Sequence, residues 1–203
     1  MRGLLVDFGG VLTTNVWESF RDFCEAEGLD REKVKRAFRE DPEAMALLRR
    51  LETGELTEEQ FERPFGELLG LDAERHPGLV DRLFGGMQPD QPMIDALPRA
   101  REAGVKTGLI SNSWGHGRYD RSQFETLFDG VVISGEVGMH KPQPEIFILG
   151  AERVGLAAEQ CVFVDDLREN CVGAEAVGMT AVLHRDSGET LVRLEELLGI
   201  SLR

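Results

Sequence analysis

The stretch LLVDFGGVLTT, from Leu4 to Thr14, decides the fold because it joins an apolar run, an acid and a glycine turn. Asp7 follows the apolar residues directly, and Gly9 and Gly10 come immediately afterwards. A short apolar run without polar alternation is typical of a strand that is covered on both faces. The carboxyl end of such a strand is where parallel sheets bind their ligands. The stretch therefore predicts the first strand of a parallel sheet and a site at its end.

Four further apolar runs of the same kind follow along the chain. They lie at residues 105–110, 131–133, 161–164 and 180–183, and helical patterns occupy 144–154, 168–177 and 188–198. Strands that alternate with helices form a doubly wound parallel sheet with right-handed crossovers. We therefore predict an α/β fold.

Residues 15–87 differ from the rest because they contain no convincing strand. They hold three amphipathic windows, VWESFRDFCEAEG, PEAMALLRRLETG and TEEQFERPFGELLG, each ending in a glycine typical of helix termini. Thr57 and Gln60 match a capping box, and Pro64 is expected to kink the third helix. We therefore predict a core domain of residues 1–14 and 88–203, with an inserted α-helical cap subdomain of residues 15–87.

Composition and charge argue against several classes of function. The 203 residues include 23 Lys and Arg against 37 Asp and Glu, a net charge of −14. Such a protein presents no cationic field to nucleic acid or to an anionic membrane, so we expect neither partner. The N-terminus lacks a basic-then-apolar secretion signal. Three widely spaced cysteines are typical of unpaired thiols, and we expect a cytoplasmic protein. The sequence does not indicate the oligomeric state.

Polar side chains follow four of the predicted strands, all at the same edge of the sheet. They are Asp7, Ser111 with Asn112, Lys141, and Asp165 with Asp166. Each alone has an ordinary interpretation as a cap, a turn or a solvated charge. Their shared position favours a functional site instead.

The chemistry of these residues suits a phosphoryl group. Asp7 and Asp166 are hard oxygen ligands for Mg²⁺, helped by a backbone carbonyl of the turn after Asp7. Lys141 and Ser111 supply a cation and a hydroxyl donor for phosphoryl oxygens. A carboxylate that uses one oxygen for the metal can attack with the other, which gives an aspartyl-phosphate.

The motifs VDFGGVLT, LISNS, the lysine of HKPQPEIF, and VFVDD resemble the four motifs of the haloacid dehalogenase superfamily over nearly the whole chain. More narrowly, the chain resembles the phosphatase-like N-terminal domain of soluble epoxide hydrolases. It also resembles bacterial sugar phosphatases whose first motif lacks a second acid. The resemblance implies a Rossmann-like core, a helical cap and a Mg²⁺-dependent phosphatase that acts on a small phosphorylated metabolite.

The resemblance also implies a role for each motif residue. Asp7 is the implied nucleophile, and Ser111 and Lys141 are the implied phosphate ligands. The implied metal ligands are Asp7, the carbonyl of Gly9, Asp166 and, through water, Asp165. An alternative role for Asp165 is to orient Lys141.

The loop SWGHGRYD follows the second motif at the edge of the sheet. Trp114, His116 and Arg118 are therefore candidates to bind the substrate, together with Asn112. Trp114 would form an apolar wall, and Arg118 would pair with a second anionic group. The alternative is a solvated loop that packs one aromatic side chain.

Gly9 departs from the pattern of the superfamily, because most of its phosphatases place there an aspartate that protonates the leaving oxygen. Acid–base help of this kind is worth ~10²–10⁴ in rate. Glycine also allows a backbone angle that aspartate tolerates poorly. Without this acid, we expect a preference for aryl, acyl and anomeric sugar phosphates, whose leaving groups need a proton least.

Three interpretations stay open. The first is a phosphatase in which water or a cap residue replaces the acid. The second is a domain that binds a phosphorylated ligand with little or no turnover. The third is a dehalogenase or a phosphonate hydrolase. A dehalogenase would leave the acid pair without a cation, and a phosphonate hydrolase would need Lys33 or Lys35 of the cap to form an imine.

Overall fold

The computed structural model describes residues 1–114 and 119–203. These residues contain a five-stranded parallel sheet in the order β3-β2-β1-β4-β5. The strands are β1 (Gly3–Val6), β2 (Lys106–Ser111), β3 (Gly130–Ile133), β4 (Cys161–Asp165) and β5 (Thr180–Leu183). The predicted α/β fold is therefore confirmed. Because β1 is central, with β2 and β4 on either side, its carboxyl end lies where the strand order reverses.

Helices lie on both faces of the sheet and in one long segment that is inserted between β1 and β2. They are α1 (Val16–Glu27), α2 (Lys33–Glu40), α3 (Pro42–Glu52), α4 (Glu58–Leu69), α5 (Leu79–Phe84), α6 (Gln91–Glu102), α7 (Phe124–Leu127), α8 (Ser134–Val137), α9 (Pro144–Arg153), α10 (Arg168–Ala176) and α11 (Ser187–Leu198). In the part of the chain that is described, no helix is long and apolar enough to cross a bilayer.

Strand β1 is apolar throughout because both faces of the sheet are covered. Leu4 and Val6 belong to a buried cluster shared with α6 and α11. Leu5 points the other way, into a cluster shared with α9 and α10. Side chains of a strand alternate between the two faces, so a strand with two covered faces has no polar position.

Helices α1 to α5 bury a separate aromatic cluster that includes Phe20, Phe61 and Phe65. The capping box of Thr57 and Gln60 is present at the start of α4, as predicted. The helix continues through Pro64 to Leu69, so the proline does not end it.

Two short segments connect these helices to the sheet, and they lie side by side. Thr13 forms an antiparallel bridge with Pro89. The N–H of Thr14 donates to the carbonyl of Gln88 at 2.7 Å. The N–H of Asp90 donates to the carbonyl of Leu12 at 2.9 Å. The chain therefore leaves the sheet and returns to it at one place, beside the predicted domain boundary.

Candidate active site

Asp7 and Lys141 form an ion pair at the carboxyl end of β1. Lys141 Nζ lies 2.7 Å from Asp7 Oδ1, and the N–H of Phe8 donates to the same oxygen at 2.7 Å. Asp7 is 8% exposed and Lys141 is 2% exposed. The two donors fix the orientation of the Asp7 carboxyl group in a place that is largely shielded from water.

Asp165 is the second partner of Lys141. Its Oδ2 lies 2.7 Å from Lys141 Nζ. Its Oδ1 accepts hydrogen bonds from the N–H of Leu167 at 2.9 Å and from Asn170 Nδ2 at 3.0 Å. Both oxygens of this buried carboxylate therefore have protein donors. Burial lowers the pKa of Lys141, but Asp165 and Asp7 outweigh it and raise that pKa above its ordinary value. The lysine is therefore charged.

Asp7, Asp165 and Asp166 converge. Each offers a carboxylate oxygen, and the three oxygens lie within 4.8 Å of one another. Burial is the main cause that raises the pKa of Asp7 to about 7 and that of Asp166 to about 6, and the charge of Asp165 adds to both shifts. One lysine does not balance three carboxylates. This donor set of hard oxygens with excess negative charge fits Mg²⁺.

The turn after Asp7 requires glycine at position 10 and not at position 9. Gly10 has a φ of +75°, and a Cβ there would lie 2.6 Å from Asp166 Oδ2. Gly9 is outside the positive-φ glycines, and its Cβ would meet only Met87 Cε, at 3.9 Å. The expectation that the backbone at Gly9 disfavours aspartate is therefore wrong. The fold therefore does not exclude an aspartate at position 9.

Ser111 ends β2 and Asn112 follows it. Ser111 Oγ accepts a hydrogen bond from the hydroxyl of Tyr119 at 2.9 Å. Asn112 Oδ1 accepts from the N–H of Lys141 at 2.9 Å, and its Nδ2 donates to the carbonyl of Lys141 at 3.3 Å. Asn112 thus ties the segment that carries Lys141 to β2, a contact that the motif LISNS did not reveal.

Trp114 belongs to the helical cluster as well as to the site. Its ring centroid lies 4.7 Å from that of Phe84, 6.0 Å from Phe20 and 6.2 Å from Phe38. It also lines the cavity at Asp7. The two interpretations of this side chain, packing and substrate wall, are therefore compatible. His116 and Arg118 lie outside the described residues.

Two adjoining cavities share Gly9 and Trp114. The first, of about 180 Å³, opens onto Asp7 and Lys141, and the helices contribute Trp17, Arg39 and Glu52 to its wall. The second, of about 470 Å³, reaches Ser111 and has a mostly apolar wall. Its apolar lining consists of Phe8, Leu12, Phe84, Met87, Pro89, Ile94, Trp114, Phe124, Leu127 and Phe128. Neither Arg39 nor Glu52 was predicted as a site residue, since no local motif marks either.

Comparison with known proteins assigns the family. Residues 1–178 match the family described as haloacid dehalogenase-like hydrolase. The chain belongs to this family of hydrolases, so the family membership implied by the four motifs is confirmed.

Curated relatives and solved structures agree with this assignment. The chain is 29% identical to the sesquiterpene phosphatase astK of Aspergillus oryzae, over 70% of this chain and 80% of that protein. It is 25% identical to bifunctional epoxide hydrolase 2 of Sus scrofa, over 100% of this chain but only 40% of that protein. A crystal structure of the haloacid dehalogenase family enzyme bt-2542 from Bacteroides thetaiotaomicron, in complex with magnesium and inorganic phosphate, has a TM-score of 0.68 and 22% identity. It aligns over 91% of this chain and 94% of that chain, and at this identity the likeness shows the fold.

Proposed function

We propose that this chain is a Mg²⁺-dependent phosphatase that hydrolyses a small organic phosphate monoester through an aspartyl-phosphate on Asp7. The observation that carries the proposal is the placement of Lys141 Nζ at 2.7 Å from Asp7 Oδ1, beside Asp166. An oriented carboxylate next to a buried cation is suited to attack a phosphoryl group, because the cation reduces the repulsion between two anions. The phosphatase relative from A. oryzae supports the same class of reaction.

Each step of the proposed reaction uses residues of this chain. Asp7 attacks phosphorus, and the bond from phosphorus to the ester oxygen breaks. Lys141 and the hydroxyl of Ser111 bind phosphoryl oxygens, while Asn112 holds the Lys141 backbone in place. Water then cleaves the bond between phosphorus and Asp7, which releases inorganic phosphate. Tyr119 donates to Ser111 Oγ, and the serine hydroxyl donates to the carbonyl of Asn112 at 3.4 Å, a long bond that a phosphoryl oxygen can replace.

Asp7, Asp166 and the carbonyl of Gly9 would hold Mg²⁺, which supplies positive charge beside the reacting phosphate. Of the two roles considered for Asp165, the orienting one has more support. Its oxygens already accept from Lys141, Leu167 and Asn170.

The alternative functions have weaker support. Without a metal ion, Lys141 alone would face three converging carboxylates, and this excess of negative charge disfavours a dehalogenase. Lys35 pairs with Glu32 at 3.2 Å. Lys33 and Lys35 are both absent from the described walls of the two cavities, which disfavours an imine-forming phosphonate hydrolase. A measurement of phosphate release distinguishes a ligand-binding domain without turnover from a phosphatase.

We propose further that residues 15–87 form the cap and that the organic group of the substrate lies in the apolar cavity. A volume of about 470 Å³ suits a small organic molecule. The phosphate would lie between Ser111 and Lys141, so the apolar wall would enclose the leaving group. This arrangement favours substrates with an apolar body over free sugar phosphates. Three free, buried cysteines support a reducing compartment such as the cytoplasm.

The test is a screen for phosphate release from aryl, isoprenyl, sugar and nucleotide phosphates, with Mg²⁺ or with EDTA. We expect Mg²⁺-dependent release that Asp7→Asn abolishes, with the lowest KM among apolar esters. The Asp22→Asn variant changes an exposed acid on α1 and serves as the matched control. If the wild type and Asp7→Asn release phosphate equally slowly from every ester, the domain does not use Asp7 and the proposal fails.

A further inference from the structure

We propose that Glu52, at the end of α3, is the general acid and base that replaces the aspartate missing at position 9. This inference rests on the proposed phosphatase function, and it names the group that moves the proton. Glu52 lines the cavity that also contains Asp7, Gly9 and Lys141. It is a carboxyl group that α3 contributes to this cavity, whereas Asp7 and Asp166 follow strands of the sheet and Glu169 lies on α10.

The backbone of Glu52 is fixed to the core by a short chain of hydrogen bonds. The N–H of Ser113 donates to Ser134 Oγ at 2.7 Å, and Ser134 Oγ donates in turn to the carbonyl of Glu52. Ser113 is the last residue of the second motif, and Ser134 begins α8 immediately after β3. The end of α3 is therefore bound to the same edge of the sheet that carries the site.

A close backbone approach strengthens this attachment. Gly54 has a φ of +75°, and a Cβ there would lie 2.7 Å from the carbonyl oxygen of Gly135. The segment after α3 therefore packs directly against α8. A general acid must be held in place, because a misplacement of about 1 Å costs up to ~10²-fold in rate. The attachment at Ser134 and Gly135 supplies that constraint.

The surroundings of the Glu52 side chain favour its acid form. Burial raises the pKa of Glu52 to about 8; the charge of Asp7 adds to the shift, and Lys141 and Arg49 oppose it. Asn112, which lines the same cavity, opposes the shift as well. The carboxyl group thus carries its proton near neutral pH, the state that a leaving oxygen requires.

The proposed proton transfers balance over one turnover. When Asp7 attacks phosphorus and the ester bond breaks, the Glu52 carboxyl proton moves to the leaving oxygen and the alcohol departs. Glu52 is then a carboxylate. It accepts a proton from the water that attacks the phosphoryl group of the aspartyl-phosphate, and the Asp7 carboxylate is released. The sum is hydrolysis of the ester to an alcohol and inorganic phosphate, with Glu52 protonated again.

The test compares leaving groups in Glu52→Gln, with Glu55→Gln as the matched control. Glu55 lies three residues further along, and its side chain is 64% exposed. Single-turnover rates are measured for ethyl phosphate, phenyl phosphate and 4-nitrophenyl phosphate. We expect Glu52→Gln to lose ~10²–10⁴ in rate with ethyl phosphate and much less with 4-nitrophenyl phosphate, whose leaving group needs no proton. Glu55→Gln should match the wild type with all three esters.

A second variant separates proton transfer from positioning. Position 9 has room for a side chain, so we expect Gly9→Asp in the Glu52→Gln background to restore part of the ethyl phosphate rate. An equal loss for all three esters, or none, overturns the role of Glu52 as the acid while Mg²⁺-dependent, Asp7-dependent turnover still stands. The absence of such turnover in the wild type refutes the proposed function instead. Thermal unfolding of both glutamate variants identifies any loss that is due to folding.

Discussion

Lys141 Nζ lies 2.7 Å from Asp165 Oδ2, and neither side chain is exposed to solvent. The lysine also contacts Asp7 at 2.7 Å, so one cation joins the acids at the ends of β1 and β4. Removal of one partner of a buried ion pair leaves an uncompensated charge in a place from which water is excluded. The pair is therefore a structural element as well as part of the proposed site.

The first prediction concerns stability and compares two neighbouring acids. Asp165→Ala should lower the free energy of unfolding by about 3–5 kcal/mol, because it leaves Lys141 and Asn170 without this acceptor. Asp166→Ala should cost little in metal-free buffer, since burial and the charge of Asp165 already oppose ionisation of Asp166. Urea unfolding of both variants in EDTA measures the difference. Equal stability of the two variants would contradict the assignment of Asp165 as the structural partner.

The second prediction concerns metal binding. If Asp166 is a ligand, Mg²⁺ should raise the melting temperature of the wild type and leave that of Asp166→Ala unchanged. A ligand present at 100 times its dissociation constant stabilises the folded state by about 2.7 kcal/mol. Asp22→Ala, which removes an exposed acid on α1, controls for general screening of the negative surface. A normal Mg²⁺ response in Asp166→Ala would remove this residue from the ligand set.

The third prediction uses three glycines. Gly10→Ala should weaken the Mg²⁺-induced rise in melting temperature, because its Cβ would displace the Asp166 carboxylate from 2.6 Å away. Gly138→Ala carries the same type of backbone strain, with a φ of +67° and no neighbour within 4 Å. It should lose stability but keep its response to Mg²⁺. Gly9→Ala should keep both the stability of the wild type and its response to Mg²⁺. If Gly10→Ala and Gly138→Ala respond to Mg²⁺ alike, contact with Asp166 does not matter.

Local patterns were sufficient to predict the sheet. The bounds of β5 agree with the prediction, and the bounds of β2, β3 and β4 differ from it by one residue, because continuous apolar runs mark strands with two covered faces. The order of the motifs also predicted that Asp7, Lys141, Asp165 and Asp166 meet, since parallel strands end at one edge.

Contacts between distant segments could not be predicted in this way. In the sequence, Glu52 is indistinguishable from other acids at the ends of amphipathic helices. Its position in the cavity depends on how α3 packs against α8. The hydrogen bond between Tyr119 and Ser111 likewise has no local signal in the sequence. The turn shows the same limit: both glycines are visible in the sequence, but only the position of Asp166 shows that Gly10 is the constrained one.

The last prediction concerns the pH dependence of stability. The pKa of Glu52 rises from 4.5 to about 8 on folding, mainly because of burial. The folded protein thus binds this proton more tightly than the unfolded chain, and ionisation opposes folding. The free-energy cost of ionising Glu52 in the folded protein is absent below the pKa of Glu52 in the unfolded chain. It grows as the pH rises towards about 8.

Glutamine keeps the shape of the side chain but has no proton to lose. The melting temperature of Glu52→Gln relative to the wild type should therefore increase from pH 5 to pH 8 in EDTA. The raised pKa values of Asp7 and Asp166 contribute to the pH dependence of both proteins, so the difference between the proteins reports Glu52 together with its coupling to Asp7. Glu55→Gln removes an exposed acid from the same segment and serves as the matched control. A constant difference for Glu52→Gln would mean that Glu52 ionises as freely in the folded protein as in the unfolded chain.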